Sequence, residues 1–119
     1  YDRRNPVVLP GDLALRMATQ NGALACGFPE SGVLAPGRAA DLILFDFDKP
    51  HLWPRHDLVS NVLYAAKSAD ISDVMVAGRW LMRDRELLTL DEERIMHEAE
   101  RRAFRMVGSE LKVVREYRG

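Results

Sequence analysis

Three observations predict an α/β fold for this chain. Apolar residues recur at helical spacing near the start and again in the last quarter. "LILF" at 42–45 is an unbroken apolar run of strand length. "VMVAGRWLM" divides into two apolar halves around Ala77-Gly78, as a β-hairpin does. A length of 119 residues suits one domain with room for a core.

The first helix is expected after Pro10-Gly11, with Asp12 as its N-cap and Leu13, Met17 and Leu24 on one face. Asn21-Gly22 should end or bend it, since both tolerate positive φ, and "ALACG" reads as a second short helical turn closed by Gly27. In the loop "FPESGVLAPGRAA", Pro36-Gly37 fits the centre of a type II turn. The strand that follows carries consecutive apolar side chains, so it expects cover on both faces. "KPHLWPRHD" holds two prolines and is irregular, whereas "LVSNVLYAA" is open between helix and strand. The hairpin turn at Ala77-Gly78 requires positive φ at Gly78. From Asp91 to about Arg115 a helix is predicted, capped by Thr89 or Asp91. Its apolar stripe is Ile95, Ala99, Ala103, Met106, Val107, Leu111 and Val114.

Charge excludes some classes of partner. Seventeen Lys and Arg balance 18 Asp and Glu, so no net field attracts nucleic acid or an anionic membrane. The basic group Arg101, Arg102 and Arg105 alternates with Glu98, Glu100 and Glu110 and reads as a solvated helix face. The single cysteine, Cys26, excludes an internal disulfide, and a reducing, cytoplasmic setting is the simplest. No apolar run approaches the roughly 20 residues that span a bilayer, and "YDRRNPVVLPGD" has no signal-peptide core. A start at Tyr1 rather than Met leads us to expect an interior segment of a longer chain.

The search for chemistry yields no site. His51 and His56 lie five apart in the Pro54 loop, without helical or strand ligand spacing, and read as solvent-facing; His97 reads as a surface helix residue. Cys26, between Ala25 and Gly27, reads as a small core residue rather than a nucleophile. Ser31, Ser60 and Ser72 lack a nucleophile-elbow context. Asp41, Asp46 and Asp48 read as polar ends of a buried strand, and the glycines form no phosphate loop. Trp53 and Trp80 could form an aromatic face, with core packing the expected use of Trp80. No catalytic, metal-binding or substrate-binding residue is assigned.

Three blocks in order, "ALRMATQNGALACGF", "GVLAPGRAADLILFD" and "VMVAGRWLMRD", resemble the carboxyl-terminal end of the amidohydrolase superfamily. The return-strand pattern falls on Gly32, Leu34, Pro36, Gly37, Ala40, Asp41, Leu42 and Asp46, and the hairpin pattern on Val76, Gly78 and Arg79. The resemblance covers about Leu9 to Glu93. The stretch from "DFDKPHLWPRHD" to "LDEERI" narrows it to the 5-methylthioadenosine/S-adenosylhomocysteine deaminases, with the chlorotriazine hydrolases close by.

The resemblance implies the C-terminal part of a (β/α)8-barrel enzyme. Residues 1–30 would be the last barrel helices, 31–90 the C-terminal part of a composite β-sandwich, and 91–119 a C-terminal helix. It implies a parent that uses zinc or a similar divalent metal to deaminate a small amino-heterocycle, with a triazine-type hydrolase as the alternative parent. The chain itself would be non-catalytic: the family's HxH pair and other ligands have no counterpart here. Its partners would be the missing N-terminal part of the same enzyme and, for the parent, a small-molecule substrate, with a homo-oligomer open. A free-standing interaction domain is the alternative from another class. If the missing strands are its neighbours, the isolated chain should expose apolar surface.

Overall fold

One antiparallel sheet organises the fold, and the computed structural model describes residues 9–108. Strands β1 (Leu42–Phe45), β2 (Ile71–Val76), β3 (Arg79–Arg83) and β4 (Glu86–Leu87) lie in that order across it. Helices α1 (Gly11–Arg16), α2 (Gly22–Ala25) and α3 (Leu58–Tyr64) belong to the segments that precede β2, and α4 (Glu92–Met106) follows the sheet. This mixed order bears out the α/β class.

The first helix is continuous where a break was expected. Asn21 and Gly22 keep helical φ values of −70° and −60°. The irregularity is a π-helical turn at Met17–Asn21 that runs up to the expected position, and within it the Thr19 hydroxyl donates back to the Leu15 carbonyl at 2.8 Å. Pro10, not Asp12, occupies the N-cap, and Asp12 sits in the first turn against the positive end of the helix dipole. Gly27 closes α2 at φ 81°, while the Phe28 N–H reaches the Ala23 carbonyl at 2.8 Å. At Gly11 the backbone comes close to α3: a Cβ there would lie 3.3 Å from Val59 Cγ1.

The predicted type II turn forms: Gly37 has φ 79° and the Arg38 N–H donates to the Ala35 carbonyl at 3.1 Å. The ambiguous "LVSNVLY" is helical, because Asp57 caps it by accepting from the Val59 N–H at 3.0 Å. The hairpin turn between β2 and β3 has φ 48° at Ala77 and 75° at Gly78, both left-handed as a two-residue turn of this hand requires. A second such turn, Asp84-Arg85 (φ 48° and 71°), leads into β4, which the sequence reading did not separate from its surroundings.

Two expectations change. Ile43 and Leu44 are each 47% exposed, so β1 is not covered on both faces within this chain; among the described residues it is the edge strand, and only β2 pairs with it. The final helix ends at Met106, with Gly108 at φ 65° just past it, because that left-handed residue cannot continue a helix. The rest of the predicted helix, including Glu110, Leu111, Val114 and Arg115, lies outside the described residues. Asp91 is its N-cap, accepting from the Arg94 N–H at 2.9 Å.

Leu52 is the one apolar side chain sealed from solvent among the described residues. The Cα radius of gyration is 19.9 Å, against roughly 13–14 Å for a compact domain of this length.

Candidate functional site

The polar side chains of this chain organise turns rather than a reaction centre. Asp41, from the return-strand pattern, stands immediately before β1. One carboxylate oxygen accepts from the Ala77 N–H at 2.7 Å and the other from the Ser31 hydroxyl. Beside it the Gly78 N–H donates to the Ala40 carbonyl at 3.0 Å. The segment before β1 therefore grips the β2–β3 turn through two bonds, with Ser31 bracing the Asp41 carboxylate from its own loop. The Ala77 N–H, and after it the Ser31 hydroxyl, hold the Asp41 carboxyl below its ordinary range.

A second clamp joins the proline-rich loop to the start of β2. The buried Asp70 carboxylate pairs with His51 Nε2 at 2.8 Å and accepts from the Lys67 N–H at 2.8 Å. The His51 contact, then the Lys67 N–H, lowers the Asp70 pKa. His51 is thus not simply a solvent-facing histidine; a buried carboxylate needs a partner, and this ring supplies it. From the other side Asn61 Nδ2 donates to the Leu52 carbonyl at 2.6 Å, fixing the turn that buries Leu52.

The remaining sequence candidates scatter. Asp46 pairs with Lys49 at 2.7 Å and accepts from the Asp48 N–H, the first contact dominating the fall in its pKa. Asp41 and Asp46 do bracket β1, as read. His56 is exposed and His97 half-buried on α4. Cys26 is exposed, not a core residue, because it lies at the end of α2 where no other layer covers it. Ser60 donates to Asp57 at 2.6 Å inside the α3 cap, and Ser72 to Asp73. Trp53 is 54% exposed with the Arg55 guanidinium 4.0 Å from its ring centroid; Trp80 is half-buried in β3.

Asp70 and Arg85 were missed as organising residues. Arg85 donates to the Ile71 carbonyl at 2.9 Å and the Ser68 carbonyl at 3.3 Å, which holds a non-glycine residue in a left-handed turn. Arg85 has no local signature, since its carbonyl partners lie 14 and 17 residues away; Asp70 has a local contact in the Lys67 N–H, but its His51 partner lies 19 positions away. Among the described residues no three His, Cys, Asp or Glu side chains cluster to hold a metal, and no helix is long and apolar enough to cross a membrane. An apolar cleft of about 420 Å³ lies beside β1, lined by residues such as Leu15, Val33, Ile43, Phe45, Leu58 and Val62. Among the described residues its one titratable lining residue is Asp41, whose carboxylate is already engaged by Ala77 and Ser31.

Comparison with known proteins gives a consistent family. A model described as the amidohydrolase family matches residues 3–81. A 5-methylthioadenosine/S-adenosylhomocysteine deaminase of Pelotomaculum thermopropionicum is 53% identical over 106 residues, covering 89% of this chain and 24% of that protein. The protein of the same name from Dictyoglomus thermophilum is 54% identical over 104 residues, covering 87% and 24%. Among solved structures, an adenosine deaminase from Xanthomonas campestris with bound zinc superposes with a TM-score of 0.80 at 30% identity, covering 88% of this chain and 24% of that chain. Atrazine chlorohydrolase TrzN from Arthrobacter aurescens, complexed with zinc, superposes with a TM-score of 0.69 at 33% identity, covering 76% and 20%. The chain spans about a quarter of the length of the curated relatives it matches.

Proposed function

The chain belongs to the amidohydrolase family, and from that premise we propose that it is the structural C-terminal part of a hydrolytic deaminase. The proposed substrates of the whole enzyme are 5-methylthioadenosine and S-adenosylhomocysteine, whose purine amino group would leave as ammonia while water supplies the new oxygen. The observation that carries this reading is the 53% identity to a deaminase of that name along 89% of the chain. Residues 1–30 would belong to the end of the barrel, 31–90 would complete the sandwich, and 91–119 would be the C-terminal segment that carries α4. The parent would act in the cytoplasm.

The zinc named for the neighbouring structures would be held by the rest of the enzyme. The described residues of this chain do not fit it: no three of their His, Cys, Asp or Glu side chains cluster, and Asp41 and Asp70 are committed to Ala77 and His51 in separate clamps. The chain's own contribution is a frame. Asp41 fixes the hairpin, Asp70 ties the proline-rich loop to the start of β2, and the edge of β1 that is unpaired among the described residues offers backbone N–H and C=O groups to a strand from elsewhere in the enzyme.

A triazine-hydrolase parent is the second reading, favoured by the superposition on TrzN. The deaminase reading stands on the closer fit of the adenosine deaminase structure and the higher identities. The test uses the longer enzyme that contains this chain, purified with its metal. Ammonia released from 5-methylthioadenosine or S-adenosylhomocysteine supports the proposal. Turnover of a chlorotriazine, with neither nucleoside consumed, would replace it.

A further inference from the structure

We draw no further inference here: the strongest candidate, the apolar cleft of about 420 Å³ between β1, α1 and α3, carries nothing, because nothing in the structure shows what covers it.

Discussion

Replacing Gly32 by alanine tests the packing of the return-strand motif against the first helix. Gly32 has φ 81°, and a Cβ at that position would lie 2.7 Å from the Thr19 carbonyl oxygen and 2.8 Å from Gln20 Cα. Both obstacles are backbone atoms of the π-helical turn, so no side-chain rotation relieves them. Two costs add. Left-handed backbone costs an alanine roughly 1–2 kcal/mol. Forcing a methyl group into occupied space adds about 1–3 kcal/mol as the loop and the helix separate. Gly27 and Gly37 provide internal references, because they share the positive φ but have open space where a Cβ would stand. The expected destabilisation is therefore about 2–5 kcal/mol for G32A and about 1–2 kcal/mol for G37A and G27A. Urea denaturation followed through Trp53 and Trp80 fluorescence measures the difference. Equal losses at all three positions would refute the close approach of Gly32 to the π-turn.

Three further outcomes follow from the same structure. Leu52→Ala should cost about 2–5 kcal/mol by urea denaturation, because it empties the one sealed apolar position among the described residues; a loss below 1 kcal/mol would mean that the site collapses freely. Gly78→Val should destabilise by more than about 1 kcal/mol, since a β-branched residue at φ 75° is strained, and unchanged stability would count against the turn geometry. The Asp41 carboxyl has a folded pKa below its ordinary value of 3.8. Its stabilising bonds are therefore fully present above that value and are lost as pH falls through the folded pKa. Urea midpoints measured between pH 7 and pH 2 should accordingly decline less steeply at the acid end in D41N than in the unsubstituted chain, and parallel acid limbs would remove Asp41 from the balance.

Local chemistry decided much of this protein before any fold was in view. Pro36-Gly37 marked a tight turn, Ala77-Gly78 marked the join of two strands, and Thr89 or Asp91 before acidic residues marked the start of a helix. Each of these depends on the φ preferences or hydrogen-bonding reach of neighbouring residues, which sequence displays directly. The order of motifs likewise marked the family. The tertiary structure decided what sequence distance hides. Asn21-Gly22 stays helical despite its local preference, and Arg85 adopts a left-handed turn while its guanidinium holds the Ile71 carbonyl. His51 passes from a loop residue to the partner of a buried carboxylate 19 positions away. Burial, above all, was not a local property. Ile43 and Leu44 have the composition of a covered strand, yet they stand half-exposed. A side chain's apolar character fixes only that it gains by leaving water. Which surface it leaves water for depends on atoms brought near by the rest of the chain.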